Sequence, residues 1–279
     1  MPSTKVNTGY MQNLVSDYRA KISKDSATVD IITFSEAAWG LNFNLFPMQK
    51  FILKVFYGLP LDNEEKSIPL PDQLNTKILD WFTETEMMDY LISNKRTNLR
   101  DYTPGKMRRE FMLCCGRRAS KSNIISLIGG YETYRVVKMG NPQAYFGFPS
   151  GSEIDITTVA AVDEQAATLF NMIKNRAVDC AYLKDRISAS TQTYFSLFTD
   201  DDLKANRDAS IRIYCGGAGS SALRSKNNLV VVMDEAAHFP QYGRGNLADV
   251  WQALTPSVAS FVPVGKREGE GKIMPQPQR

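Results

Sequence analysis

The chain has 279 residues, 43% hydrophobic and 23% charged, and 33 Lys and Arg against 30 Asp and Glu give a formal charge of +3. That length builds one large core, or a core with a small appendage, and so weak a charge bias neither requires nor excludes nucleic acid. Four Cys without a C-x-x-C and a single His exclude a disulfide scaffold and a zinc finger, and suit reduced cytosolic thiols. No aliphatic run is long enough to span a membrane, and the opening Met1-Pro2-Ser3-Thr4-Lys5 leads us to expect no signal peptide.

Tyr10, Met11, Leu14, Val15, Tyr18 and Ile22 recur at helical spacing and predict an amphipathic N-terminal helix. Val29 to Trp39 is apolar and reads equally as strand or helix. Pro47 at a first turn predicts a helix from Met48 to Tyr57, ended by Gly58. Leu61 to Lys106 is charged and holds Pro69, Pro71 and Pro104. We expect it to be an excursion from the main core with one helical piece around Ile78 to Ile92. We place a helical N-terminal extension at 1–45 and the main domain at 46–279, with 61–106 the excursion and 262–279 a short tail.

From Arg109 onward strands and helices alternate. Strands are predicted at Phe111–Cys115, Ile154–Ala161, Tyr194–Phe198, Ile211–Tyr214 and Leu229–Met233, and helices at Ser122–Val137 and Glu164–Val178. The unbroken aliphatic run of Leu229 to Met233 marks a central parallel strand. The expected fold is therefore α/β, a three-layer domain with a mostly parallel sheet.

Between the Phe111–Cys115 segment and the next helix lies Cys115-Gly116-Arg117-Arg118-Ala119-Ser120-Lys121-Ser122. A phosphate-binding loop needs backbone N–H groups wrapped round phosphate oxygens at a helix N-terminus. It also needs a Lys for the β- and γ-phosphates and a hydroxyl for Mg²⁺. Lys121 and Ser122 meet those needs, with Gly116, Arg117, Arg118, Ala119 and Ser120 forming the cradle. The strict pattern is broken at Cys115 and Ser120, and Ser120 adds a Cβ where glycine would give the closest approach. The bland alternative is a solvated basic turn.

Leu229-Val230-Val231-Val232-Met233-Asp234-Glu235 is an aliphatic strand ending in two carboxylates. The C-terminal edge of a parallel sheet is where ligands bind. There Asp234 would hold Mg²⁺ and Glu235 would orient and deprotonate the attacking water. Gln49 could read an adenine edge, or simply begin a helix. His238 reads as a polar loop residue, and Asp200-Asp201-Asp202 as a solvated turn. Trp251 and Leu254 read as core, while Arg207, Arg212, Arg224 and Lys226 could form a DNA-facing surface or a solvated face.

Phe46-Pro47-Met48-Gln49, Gly116 to Ser122, Ile156-Thr157-Thr158-Val159-Ala160 with Gln165-Ala166, and Val231 to His238 occur in this order. Together they resemble the N-terminal ATPase domain of the large terminase subunit of tailed bacteriophages, over about Val29 to Phe261. The resemblance implies ATP and Mg²⁺ as cofactors, with Gln49 recognising adenine, Lys121 and Ser122 serving phosphate and metal, and Asp234 and Glu235 as metal and catalytic acids. It also implies that Arg117 senses the γ-phosphate and that Arg224 reaches a neighbouring subunit's ATP. The implied partners are double-stranded viral DNA, a portal protein and a small terminase subunit. The chain would work without a membrane, as a homo-oligomeric ring at the procapsid in the host cytoplasm. In that family the chain continues into a coupling strand and a nuclease domain. Gly271-Lys272-Ile273-Met274 could begin that strand, Thr255-Pro256-Ser257 mimics the coupling motif in composition, and no nuclease is expected. The competing readings are a superfamily-2 helicase, suggested by D-E-A-A-H, and a non-catalytic fragment that binds nucleotide or DNA without turnover.

Overall fold

The computed structural model describes residues 28–71, 77–114, 119–217, 223, 225–242 and 245–275. The amphipathic helix expected at Tyr10–Ile22 therefore lies outside the described residues. Asp30, whose Oδ1 accepts from the Ile32 and Thr33 N–H groups at 2.9 and 3.0 Å, caps helix α1 (Ile31–Glu36). The open choice at Val29–Trp39 thus resolves to a short helix. Its Phe34 ring stacks on Tyr134 with centroids 4.1 Å apart, and Ile31, Leu41 and Leu45 enter the same core as the sheet.

Helix α2 (Pro47–Tyr57) starts with its proline in the first turn and stops at Gly58, whose φ of +69° is the left-handed cap that glycine takes without strain. The excursion holds strand β1 (Ile68–Pro71) paired antiparallel with β2 (Ile78–Phe82), then helix α3 (Glu84–Ser93). The expected helix around Ile78–Ile92 is thus half strand. The reason is legible in Thr83-x-x-Glu86, a capping box that begins α3 only at Glu84: Thr83 Oγ1 accepts from Glu86 N at 3.1 Å, and Glu86 Oε2 accepts from Thr83 N at 2.9 Å. The excursion is fastened to α2. Phe51 packs with Ile68, Met87 and Met88, and Glu84 pairs with Lys54 at 2.7 Å.

Helix α4 (Lys121–Lys138) is followed by the short α5 (Pro142–Phe146), strand β3 (Ile154–Ala160) and helix α6 (Asp163–Asp179). Next come β4 (Ile187–Ser190), β5 (Tyr194–Leu197), α7 (Asp200–Lys204), β6 (Ile211–Gly217), β7 (Asn228–Asp234), α8 (Leu247–Ala259) and β8 (Lys272–Pro275). The sheet runs β4-β5-β6-β3-β7-β8, parallel from β6 to β8 and antiparallel at the β4–β5 and β5–β6 pairings. Every described residue of β3 is buried, as a central strand covered on both faces requires.

The alternation along β7 assigns the layers. Val230 and Val232 join the core with Ile124, Leu127, Ile128 and Ile173 of α4 and α6. Val231 and Met233 join Val250, Leu254 and Val258 of α8 on the opposite face. Gly129 lets α4 approach α6 closely, since a Cβ there would sit 2.7 Å from Ile173 Cδ1.

Two expectations are corrected here. Of the strand expected at Phe111–Cys115, the described residues Phe111–Cys114 do not form a ladder strand. The chain meets the sheet just before it, by a parallel bridge of Glu110 to Ile273, with Phe111 N donating to Ile273 O at 3.2 Å and Ile273 N to Arg109 O at 3.0 Å. Met112 and Cys114 stay exposed, so the run is not the buried strand its composition suggested. Asp200–Asp202 is no solvated turn either. It opens α7, and the buried Asp202 Oδ2 accepts from Thr199 N at 2.9 Å and from Ser210 Oγ at 2.7 Å.

One buried ion cluster sews α2, α4 and β8 together. Glu132 and Lys272 are fully buried and 3.0 Å apart. Arg135 bridges Glu132 and Glu270 at 2.8 Å each, and Tyr57 OH donates to Glu132 Oε1 at 2.6 Å. Burial pushes the Lys272 ammonium down to about 8, against the opposing pull of Glu132. Burial alone would raise the Glu132 carboxyl, but Arg135 and Lys272 hold it below its ordinary range.

Candidate functional site

The site is assembled where α4 begins and β7 ends. Ser120 stands at the N-cap of α4 with φ +58° and ψ +25°, the left-handed backbone that a glycine would enter without penalty. For an L-residue that conformation costs about 1–2 kcal/mol, so Ser120 is held in a glycine-like geometry by its surroundings. Lys121 and Ser122 form the first turn of α4, where N–H groups lack intrahelical acceptors and the helix dipole favours an anion. Gly116, Arg117 and Arg118 lie outside the described residues, as does Arg224.

Asp234 is the last residue of β7, opposite Ala160 at the end of β3. Its Oδ1 accepts from the N–H of Glu235 at 2.9 Å. Burial raises the Asp234 carboxyl above its ordinary range, and the neighbouring Glu235 charge raises it further. The Glu235 amide and the Lys121 ammonium pull it back down. Lys121 thus acts electrostatically on Asp234 across the gap between helix and strand. Glu235 itself adopts φ +50° and ψ +43°, and its carbonyl accepts from His238 N at 2.8 Å in the turn Ala236–His238. His238 is exposed, in keeping with a loop residue.

One side chain at this site stood among the quoted motifs without a role. Gln165, in the first turn of α6, donates from Nε2 to Glu235 Oε2 at 2.6 Å. The register pointed to it, because β3 and β7 end together and whatever follows β3 must stand beside the acid pair.

The remaining candidates are placed elsewhere. Gln49 is buried, and its Oε1 accepts from Phe46 N at 3.0 Å, closing the start of α2 while Phe46 stays exposed. Ser257 lies inside α8. Its Oγ accepts from Asn228 N at 2.7 Å and donates to Lys226 O at 2.6 Å. Ser257 of Thr255-Pro256-Ser257 is therefore beside the start of β7, a strand's length from Asp234. Arg212 pairs with Asp155 at 2.7 Å, Arg207 with Asp201, and Lys226 sits 4.1 Å over the Tyr214 ring, so these cations are engaged within the fold. Leu254 is core and Trp251 packs beside it.

The donor set suits a hard cation. A helix-start hydroxyl and a strand-end carboxylate supply oxygen ligands, and Mg²⁺ takes its remaining positions from water and nucleotide phosphate. Among the described residues no three His, Cys, Asp or Glu side chains form a protein-only metal cluster, and no helix is long and apolar enough to cross a membrane.

Solved structures similar to this chain include large terminases. The Thermus phage P74-26 large terminase ATPase domain is 21% identical at TM-score 0.40, covering 61% of this chain and 59% of that one. The HK97 bacteriophage large terminase is 12% identical at TM-score 0.42, covering 82% and 37%. The large terminase of a thermophilic bacteriophage is 12% identical at TM-score 0.39, covering 64% and 36%. The chain thus spans less than two thirds of each of those chains. No curated protein matches it. A family model described as "Uncharacterized protein MJ0330, N-terminal P-loop domain" matches residues 11–264. With the phosphate-loop helix α4 facing the acid-ended strand β7 and nearly the whole sequence inside that match, the chain belongs to this P-loop domain family.

Proposed function

We propose that this chain is an ATPase motor part of a phage DNA-packaging large terminase, hydrolysing ATP with Mg²⁺ to move double-stranded DNA into a procapsid. The observation that carries the hydrolytic half is the electrostatic pull of Lys121, at the start of α4, on Asp234 at the end of β7, with Glu235 next in the chain. The packaging half is supported by the ordered motifs from Phe46-Pro47-Met48-Gln49 to Asp234-Glu235-Ala236-Ala237-His238.

In this reading the α4 N-terminus and Lys121 bind the phosphates, and Ser122 with Asp234 would hold the cation. When bound, Mg²⁺ neutralises charge that builds on the phosphate oxygens during transfer. Glu235 accepts a proton from the attacking water, and Arg117 and Arg224 stabilise the developing charge. Gln49, with Oε1 given to Phe46 N, keeps its amide N–H groups for a base edge. Gly116, Arg118, Ala119 and Ser120 complete the cradle. The partners of the proposal are viral DNA, a portal protein, a small terminase subunit and further copies of the chain in a ring, in the host cytoplasm.

The test is Mg²⁺-dependent ATP turnover at several protein concentrations, beside Lys121→Ala and Glu235→Gln. Turnover that rises with concentration and vanishes in both variants is expected. Turnover unchanged in Glu235→Gln would remove the hydrolytic assignment.

A further inference from the structure

Glu235 has its backbone fixed by its own neighbours, since its N–H is bound to Asp234 Oδ1 at 2.9 Å and its carbonyl accepts from His238 N at 2.8 Å. Neither bond sets the heading of the side chain. The carboxylate oxygen Oε2 is gripped from the adjacent strand–helix junction, by the Nε2 of Gln165 at 2.6 Å. Only one orientation of the amide permits this, because an amide oxygen turned to a carboxylate would set acceptor against acceptor. That orientation has a cost. Gln165 Oε1 is buried with no hydrogen-bond partner, the kind of unmet group that native structures seldom tolerate without a use. Gln165 occupies the third position of α6, a helix whose start is docked beside β7 by the shared end of β3 and β7 at Ala160 and Asp234. The anchor is therefore carried on the first turn of a helix rather than on a loop, and sites built on helices or strands are held more precisely.

We propose that Gln165 is a positioning residue for hydrolysis, fixing the Glu235 carboxylate through Oε2 so that it meets the attacking water in one geometry. The proposal rests on the hydrolytic role given to Glu235 above. Gln165 touches neither nucleotide nor metal in this account, so its loss acts on the chemical step. A displaced base costs up to about 10²-fold in rate for a 1 Å error, while phosphate binding by Lys121 and α4 is untouched.

The experiment compares Gln165→Met, which matches the glutamine in length but lacks the donor, with Gln165→Asn, which keeps the amide but withdraws it by one methylene. ATP turnover and KM for ATP are measured with Mg²⁺, with Glu235→Gln alongside and the unfolding midpoint of each variant recorded. Both Gln165 variants are expected to lose about 10–100-fold in kcat with KM within about twofold of wild type. Wild-type kcat in Gln165→Met, or a loss carried in KM or in the unfolding midpoint with kcat intact, would overturn the positioning role while Glu235→Gln stays inactive. A wild type without turnover, or Glu235→Gln turning over normally, would overturn the hydrolytic reading and the positioning role together.

Discussion

The buried cluster between α4 and β8 and the acid pair at the end of β7 stand on neighbouring strands, and both gather charges that water would otherwise hold. In the cluster every charge meets another: Glu132 touches Tyr57, Arg135 and Lys272, and Arg135 passes on to Glu270. At the acid pair like charges are set side by side instead. Two carboxylates adjoin, Asp234 is pushed up by burial and by its neighbour, two L-residues sit at left-handed φ, and the amide oxygen of Gln165 is left alone. Closed charge networks hold a fold in one arrangement. Open ones, half buried at a helix start and a strand end, are where a ligand with its own charge completes the structure.

The largest effect that separates the two regions is on stability. Glu132→Gln leaves Lys272 without its carboxylate in a fully buried position, and is expected to cost about 3–5 kcal/mol in chemical denaturation. Glu235→Gln is expected to change stability by less than about 1 kcal/mol while abolishing turnover. Replacing Glu132 by Leu and Lys272 by Met together should recover much of the loss, because an apolar pair of similar volume avoids the desolvation cost. Equal stability losses at Glu132 and Glu235 would erase the distinction between a structural and a functional cluster.

The same contrast explains what could be read from the sequence. Central elements were legible because their signals are local: the aliphatic run of Leu229 to Met233 became β7, and Pro47 and Gly58 bracketed α2. The positions of Lys121 and Ser122 at a helix start and of Asp234 and Glu235 at a strand end were legible from residue type, a Lys and a hydroxyl after a basic loop and two carboxylates after an aliphatic run. Contacts made across the sheet were not legible. Gln165 meets Glu235 over 70 residues of sequence, and Glu132 meets Lys272 at a helix–strand crossing that no periodicity encodes. The Ile78–Ile92 segment divides into a strand and a helix because its apolar content has no single period. The capping box at Thr83 was the signal that divides it.

A medium effect is expected at Ser120. Its left-handed backbone costs about 1–2 kcal/mol for an L-residue, and glycine would lose part of that gain to the greater entropy of its unfolded chain. Ser120→Gly should therefore stabilise the chain by about 0.5–1 kcal/mol, and Ser120→Val should destabilise it by at least about 1 kcal/mol, since β-branching adds to the penalty. Denaturation midpoints of the three proteins decide it. If Ser120→Gly is no more stable than wild type, the positive φ is not a strain that the site imposes, and the open region loses one of its marks.

The smallest effect is a pH dependence inside the closed cluster. Lys272 faces Glu132 and Arg135 from α4, Tyr57 from α2 and the preceding Glu270, and its proton is held at about 8 against an ordinary 10.5. Between those values the unfolded chain keeps a proton that the folded chain has released, so this group makes stability rise with pH. At neutral pH both states are protonated and the buried ammonium carries its full desolvation cost. Above about pH 10 the signal reverses for another reason: burial raises Tyr57 and Tyr131, so unfolded tyrosines ionise first. The informative window is therefore about pH 8 to 9.5, and the informative quantity is the stability of wild type minus that of Lys272→Met, which removes contributions common to both. That difference should grow in favour of wild type as pH rises. If it stays flat, Lys272 keeps its proton through the window, the pull of Glu132 outweighs burial, and the cluster is held by charge attraction at alkaline pH as well as at neutral.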